Sequence, residues 1–237
     1  RLQIRRTNNS KEMRHLINTK TMALVVLLIT FMSCKKNEVK KEEDKPKFDI
    51  NNPIGYFIYL KSANDNGSWV IPALMEFRPG KTLKYYSSKD KNQIYPYEVI
   101  DGNTINIVGF NYRFVIENDK ISTEVTRFKE IALLKAEETN QLAGKTFTGT
   151  YHQPDKSVLH QNFFYSFSAN ENKLGAGFKP DVVMRTENYT VIGNIAAMVD
   201  VAGNDDAEFM VLVNGKLEVG YYQDKPYSEY YGIFTQQ

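Results

Sequence analysis

Residues 97–108 of the chain read "YEVIDGNTINIV". Apolar and polar residues alternate on both sides of Asp101-Gly102, and an Asp-Gly pair between alternating runs is typical of a two-residue hairpin turn, because both central positions need positive φ. A similar stretch, "YTVIGNIAAMV", occurs at residues 189–199, with Gly193-Asn194 at the turn. The sequence therefore predicts a β-hairpin that occurs twice.

The rest of the chain after residue 48 extends this repeat. The stretch "FVIENDKISTEV" at residues 114–125 resembles "FMVLVNGKLEVG" at residues 209–220, and "IGYFIYLKS" from residue 54 resembles "LAGKTFTGTY" from residue 142. Self-similarity at a fixed period indicates a duplicated structural unit, here of roughly 90 residues. The alternative is a chance likeness among generic hairpins, which share turn residues whatever their origin.

Strand signals dominate this region and helix signals are weak, so we predict an all-β fold. In "YRFVIE" the residues Tyr112 and Phe114 share one face, as expected of a half-buried strand. The two copies predict two tandem antiparallel meanders that each form a β-barrel, a first domain at residues 48–138 and a second at residues 139–237. One larger barrel or a sandwich built from both copies is the alternative, because hairpin turns specify neighbouring strands and not closure. The segment 128–144 is ambiguous, since Ile131, Leu134 and Lys135 fall at helical spacing, but we favour a closing strand followed by a polar linker at residues 137–141.

Each copy opens with a glycine-led strand, at Gly55 and at Gly144, and continues as a meander. This organisation resembles the compact lipocalin-like domains of Bacteroidota lipoproteins, which implies a small barrel for each copy. Lipocalins usually have Gly-x-Trp in the first strand, whereas Gly55 is followed by Tyr56-Phe57 and Gly144 by Lys145-Thr146-Phe147. The single tryptophan, Trp69, lies later, in "NDNGSWVIP". The resemblance therefore bears on the fold and implies no ligand.

The N-terminal region contains "MRHLINTKTMALVVLLITFMSCKKNE" at residues 13–38. A basic flank precedes a short apolar run; a bilayer-spanning helix needs about 20 apolar residues, so the run is typical of an export signal. Its end, "FMSC", resembles the relaxed lipobox of Bacteroidota lipoproteins. The resemblance implies that residues 1–33 are upstream sequence and a signal peptide, and that Cys34, the only cysteine of the chain, carries a lipid. The alternatives are an ordinary signal peptide with an incidental cysteine, or a buried core cysteine.

A charged segment follows, so that residues 34–47 combine the lipidated cysteine with "KKNEVKKEEDKPK". Such a segment cannot bury enough apolar surface to fold, and we predict a solvated tether. It resembles the surface-export signals of Bacteroidota lipoproteins, with a plain spacer as the alternative. Because Lys35 and not an aspartate follows the cysteine, we expect a lipid-anchored protein at the outer membrane, on its periplasmic or cell-surface face.

The overall charge argues against a nucleic-acid partner. The whole chain has a formal net charge of +2, but the value falls to about −3 without the basic leader. A nucleic-acid-binding protein would show a basic patch instead. The partners that we expect are a membrane, through the lipid on Cys34, and a small ligand or an envelope protein.

The sequence shows no recognisable catalytic constellation, so we expect neither an enzyme nor a cofactor nor a bound metal. His152 and His160 flank an expected hairpin turn and could bind a metal with Asp155, but two histidines near a turn are more often exposed polar residues. The stretch "GNDDAE" at residues 203–208 groups carboxylates, yet without the alternate spacing of a calcium loop, so we predict a solvated hairpin tip.

Aromatic residues supply the remaining functional signal. Tyrosine offers a flat apolar face with a hydroxyl group, which suits sugars and amphipathic ligands, although inward aromatics in small barrels mostly fill the interior. We predict a non-catalytic binding protein for a small apolar or amphipathic ligand or a glycan, the alternative being a structural or accessory lipoprotein that docks a protein partner and has no ligand cavity. The candidate ligand-binding residues are Tyr221, Tyr222, Tyr227, Tyr230, Tyr231 and Trp69.

Overall fold

A computed structural model of the chain describes residues 47–63, 70–178, 182–201 and 205–237. Residues 47–237 form one compact unit. The predicted signal peptide, the lipidation site Cys34, nearly all of the tether and Trp69 lie outside the described residues, so these interpretations stay predictions. In the part of the chain that the structure describes, all the regular secondary structure is β-strand, and no helix there is long and apolar enough to cross a membrane.

The first half of the unit is an eight-stranded antiparallel sheet in which the last strand returns to pair with the first. Its order is β7-β6-β5-β4-β3-β2-β1-β8, so the sheet curls into a nearly closed barrel, the first barrel. The strands are β1 (Tyr56–Ala63), β2 (Val70–Arg78), β3 (Thr82–Tyr86), β4 (Gln93–Ile100), β5 (Thr104–Ile107), β6 (Tyr112–Glu117), β7 (Lys120–Ser122) and β8 (Phe128–Lys135).

The second half is a nine-stranded antiparallel sheet, the second barrel, with the order β12-β11-β10-β9-β17-β16-β15-β14-β13. Its end strands β12 and β13 are two parts of one extended segment that is interrupted at Tyr189. The strands are β9 (Thr146–His152), β10 (Val158–Phe167), β11 (Lys173–Gly177), β12 (Arg185–Asn188), β13 (Thr190–Ile192), β14 (Ala196–Asp200), β15 (Ala207–Val213), β16 (Lys216–Gln223) and β17 (Ser228–Gln236).

The all-β fold with two tandem barrel-like sheets is thus confirmed, and the two sheets are built alike. In the first barrel the residue pair Met75–Tyr85 joins β2 to β3, and in the second barrel the pair Tyr165–Ala176 joins β10 to β11 at the corresponding place. The expected strand at the start of 128–144 is also confirmed, since β8 ends at Lys135 and no regular structure follows before β9.

The strands at 114–125 and 209–220 correspond, but one residue out of step with the sequence comparison. Phe114 of β6 pairs with Ile105 and lies in the first barrel's core, whereas its counterpart by strand register is Met210, which pairs with Ala197 and lies inside the second barrel. Phe209 points to the opposite face. Because side chains alternate along a strand, a shift of one residue exchanges inside for outside.

The outward face of β15 is buried because the two barrels pack against each other. Phe209 and Val211 lie in one apolar cluster with Phe57 and Tyr59 of β1. Strand β15 is therefore buried on both faces, which explains its nearly continuous apolar sequence. Because of this buried apolar contact, the two barrels form one unit rather than two independently moving domains.

A buried polar group crosses the same interface. The Lys61 ammonium lies 2.9 Å from a Glu218 carboxylate oxygen, and both side chains are at most a tenth exposed. The Tyr59 hydroxyl donates to the same carboxylate at 2.7 Å, and the Tyr231 hydroxyl does so at 3.2 Å. Burial, followed by the charge of Glu218, raises the pKa of Tyr59, so this phenol is a hydrogen-bond donor at neutral pH.

Candidate ligand-binding pocket

One end of the first barrel is hollow. A cavity of about 160 Å³ opens there, between the end of β3, the start of β6 and the loops that precede β4, β6 and β8. Its inner wall is apolar and includes Leu60, Met75 and Ile107. Two charged side chains, Asp90 and Arg127, also line it.

An arc of aromatic rings forms the rest of the wall. The ring centroids of Tyr85 and Tyr95 are 6.3 Å apart, those of Tyr95 and Phe110 5.0 Å, those of Phe110 and Tyr112 5.7 Å, and those of Tyr112 and Phe128 5.5 Å. Three of these four contacts are edge-on, and such contacts each stabilise by about 0.5–1.5 kcal/mol beyond burial. The contacts between neighbouring rings therefore stabilise the arrangement of the arc.

Strand register explains why these rings meet. Tyr112 is the first residue of β6 and pairs with Ile107 at the end of β5, and Tyr85 pairs with Gln93 near the start of β4. Tyr95 follows Gln93 by two residues and therefore lies on the same face of β4. Phe110 lies in the short connection from β5 to β6 and is half exposed, with 49% of its surface accessible.

Several polar side chains of the pocket are hydrogen-bonded to one another or to Gln93. The Arg127 guanidinium donates a long hydrogen bond to the Tyr112 hydroxyl at 3.5 Å, and the Gln93 amide donates to the Asp90 carboxylate at 3.0 Å. Burial is the main cause that raises the pKa of Tyr85 to about 12, and a hydrogen bond with Ser87 opposes part of this effect. Burial and then Asp90 raise the pKa of Tyr95. At neutral pH these phenols are protonated and can both donate and accept.

The same end of the second barrel is filled instead. Glu208 is 1% exposed and accepts a hydrogen bond from the Tyr165 hydroxyl at 2.7 Å and one from the Arg185 guanidinium at 2.5 Å. The hydroxyls of Tyr151 and Tyr165 also bond each other. Burial, and then the charge of Glu208, raises the pKa of both tyrosines. The four side chains occupy the place where the first barrel has its cavity.

The structure divides the predicted tyrosine site between two faces of the β16–β17 hairpin. Tyr221 and Tyr230 stack with centroids 5.6 Å apart and pack on the second barrel's core. Tyr222 and Tyr227 meet edge-on at 5.7 Å, and Tyr231 bonds Glu218 at the interface between the barrels. None of these five tyrosines lines the pocket of the first barrel.

The other sequence candidates also have definite positions. The expected hairpin after His152 is confirmed, but His160 pairs with Tyr151 rather than with His152, and its ring lies against Phe178 at 4.8 Å. Within the described residues, no three His, Cys, Asp or Glu side chains are grouped so that they could hold a metal. The prediction of a solvated tip at 203–208 is wrong for Asp206 and Glu208, which are buried. Glu208 points from β15 into the barrel, and Asp206, just before β15, accepts hydrogen bonds from the Tyr221 hydroxyl and the Asp224 N–H.

Comparison with known proteins adds no assignment. No protein-family model, no curated protein and no solved structure matches the chain.

Proposed function

We propose that the chain is a non-catalytic binding protein whose first barrel takes one ring of a small amphipathic molecule, with a sugar residue as the best fit. The observation that carries the proposal is the aromatic arc around the cavity, with Asp90 and Arg127 beside it. Aromatic faces pack against the C–H faces of a sugar ring, while phenol, carboxylate and guanidinium groups bond its hydroxyls.

The size of the cavity limits what it holds. At about 160 Å³ it is smaller than the roughly 300–1,000 Å³ of pockets for drug-sized ligands. It therefore suits a single ring or the end of a longer chain that continues into solvent. Ligand efficiencies of about 0.3 kcal/mol per non-hydrogen atom give a hexose of about 12 such atoms a binding free energy near 4 kcal/mol, which corresponds to a Kd of about 1 mM.

Saturation-transfer NMR with methyl glycosides of hexoses and hexuronic acids tests this proposal, with n-alkyl alcohols as purely amphipathic probes. We expect at least one glycoside to bind with a Kd of about 1 mM. Tyr95→Ala should weaken this binding about fivefold, since an aromatic contact contributes about 1 kcal/mol. Phe178→Ala is the control, because Phe178 is an exposed aromatic residue of the second barrel and does not line the pocket. Absence of binding by every probe, or equal losses in the two variants, would refute the proposal.

A second candidate function is docking to an envelope protein through the second barrel. Its interior is filled, and apolar residues of the β11–β12 connection are exposed: Phe178 by 40%, Val182 by 52%, Val183 by 50% and Met184 by 62%. Exposed apolar patches often mark protein interfaces. Cross-linking in intact cells with a photoreactive group at position 184 tests this candidate, with the same group at the exposed position 233 as control.

The proposal includes export and a lipid anchor on Cys34 at the outer membrane, supported by the apolar run and the solitary cysteine that follows it. Acyl chains contribute about 0.8 kcal/mol per buried CH₂, so several chains would hold the protein on a membrane. Metabolic labelling with a radioactive fatty acid should mark the wild-type protein and not Cys34→Ser. Equal labelling of both would contradict the anchor.

A further inference from the structure

One wall of the pocket is a loop that is ordered around its own polar contacts. Asp90 lies in the connection from β3 to β4, at residues 87–92. The Ser87 N–H donates to the Asp90 carbonyl at 2.8 Å, and the Asp90 N–H donates to the Ser87 hydroxyl at 3.0 Å. These reciprocal bonds make the loop a small closed unit, so a displacement of its neighbours moves Asp90 with it.

The residues beside Asp90 point away from the pocket and contact the second barrel. Ser88 is fully buried, and its hydroxyl lies so close to Gly220 of β16 that a Cβ at that position would be 3.1 Å from it. The ammonium of Lys89 lies 5.5 Å from the ring centroid of Tyr227, and Lys91 forms an ion pair with Asp200 of β14. Three residues of the loop are thus held by three different parts of the second barrel.

The electrostatic environment of Lys89 supports the same arrangement. Partial burial acts to lower its pKa, but Tyr227 and Glu229 raise it and prevail. Glu229 is 5% exposed, and burial raises its own pKa while Lys89 lowers it. Because the charges of Lys89 and Glu229 stabilise each other, the loop and the β16–β17 hairpin are coupled by electrostatic attraction as well as by packing.

We propose that the second barrel positions the pocket loop of the first, with Tyr227, Glu229 and Gly220 as positioning residues for Asp90. The inference rests on the proposed function in so far as the loop serves a ligand site. It assigns the tyrosine-rich hairpin a role that requires no ligand contact. It also accounts for the filled interior of the second barrel, since a solid barrel is a firmer support than a hollow one.

The test compares two lysines that each lie over a tyrosine ring. Lys89→Met keeps the apolar stem and removes the charge from Tyr227, whereas Lys84→Met makes the same change at Lys84, which lies over Tyr86 at 4.8 Å and outside the pocket. Amide hydrogen exchange is measured at Ser87 and Asp90 of the full chain without any ligand. The loss of one exposed cation–π contact should speed exchange at Ser87 and Asp90 about two- to fivefold in Lys89→Met and leave it unchanged in Lys84→Met. Lys89→Arg, which keeps the charge, should exchange at the wild-type rate.

A merely structural role would not give this pattern. If Lys89→Met lowered global stability, amides throughout both barrels would exchange faster, whereas a positioning role confines the change to the loop at an unchanged unfolding midpoint. Equal exchange at Ser87 and Asp90 in the wild type and in Lys89→Met would overturn the inference.

A second readout separates the inference from the proposed function. The affinity for methyl β-glucopyranoside, used as the probe, should fall by a similar factor in Lys89→Met and not in Lys84→Met. If the wild type fails to bind this and the other glycosides, the proposed function fails while a local rise in exchange still supports positioning. If the glycoside binds equally to all variants, Asp90 is not positioned by the second barrel in the way proposed.

Discussion

Removal of the Arg185 guanidinium, the partner of a buried carboxylate in the second barrel, should be severely destabilising. Arg185→Met keeps most of the apolar stem and deletes the only cation that contacts Glu208 among the described residues. The carboxylate side chain is 2% exposed, whereas the Arg185 side chain is 26% exposed. Breaking a buried pair by removing one partner costs about 3–5 kcal/mol, because the remaining charge is left uncompensated.

The magnitude lies at the lower end of that range for a structural reason. After the change, Glu208 still accepts hydrogen bonds from the Tyr151 and Tyr165 hydroxyls, and these bonds offset part of its desolvation. We expect Arg185→Met to lose about 3 kcal/mol of unfolding free energy. Glu208→Gln, which leaves the partly exposed cation and keeps the shape, should lose only about 1–2 kcal/mol.

The double variant decides between a charge effect and a packing effect. When both charges are removed, no uncompensated ion remains, so Arg185→Met with Glu208→Gln should be about 2 kcal/mol more stable than Arg185→Met alone. Urea unfolding of all four proteins, followed by circular dichroism, gives the three differences. Simple additivity of the two single changes, or a loss below about 1 kcal/mol in Arg185→Met, would refute the assignment of a buried ion pair.

Two further predictions concern the barrel interface and alkaline pH. Gly193→Ala should lower the unfolding free energy in urea by about 1–3 kcal/mol more than Gly102→Ala does. Both glycines have positive φ, but a Cβ at position 193 would lie 2.4 Å from the Phe57 ring, whereas a Cβ at position 102 would have nothing within 4 Å. Equal losses would show that Phe57 moves aside freely. Burial raises the pKa of Tyr151 and Tyr165 well above 10. Because the unfolded chain loses these protons at a lower pH than the folded chain, the unfolding free energy should decline as the pH rises above about 10. An unfolding free energy that stays constant up to about pH 11 would contradict this.

The fold was predictable because its signals are local. Alternation and turn residues specify hairpins, and the repeated turns at 101–102 and 193–194 specify that the hairpins occur twice. The register between the copies was not predictable to the residue, since β15 is apolar on both faces and its alternation does not show which face is inside. Only the second barrel's contact with β1 settles that Phe209 points outward.

The candidate pocket was less accessible from sequence. The sequence shows Tyr85 and Tyr95 as aromatic residues, but the tyrosines at 221–231 are more closely spaced, so the predicted ligand site was placed on them. Whether inward aromatic residues fill a barrel or line a cavity depends on the residues opposite them. Those residues come together only when the strands pair. The burial of Glu208 was not predicted for a similar reason, because its counter-charge, Arg185, comes from β12, a strand that is not paired with β15.

The comparison of the two barrels explains why only one is hollow, and it yields a last prediction. The pair Met75–Tyr85 of the first barrel corresponds to Tyr165–Ala176 of the second. Met75 lines the cavity and is 4% exposed, whereas at the equivalent place the Tyr165 ring fills the second barrel.

Met75→Tyr should therefore close the pocket from within. The larger ring finds space in the cavity, so the loss of stability should stay within about 1–3 kcal/mol, while binding of the glycoside probe should fall below detection. Met75→Leu conserves volume and should keep both stability and binding. Titration calorimetry on the two variants separates the outcomes: undiminished binding in Met75→Tyr would mean that the ligand does not enter the first barrel, because a tyrosine at that position leaves no room for a ring beside Tyr85.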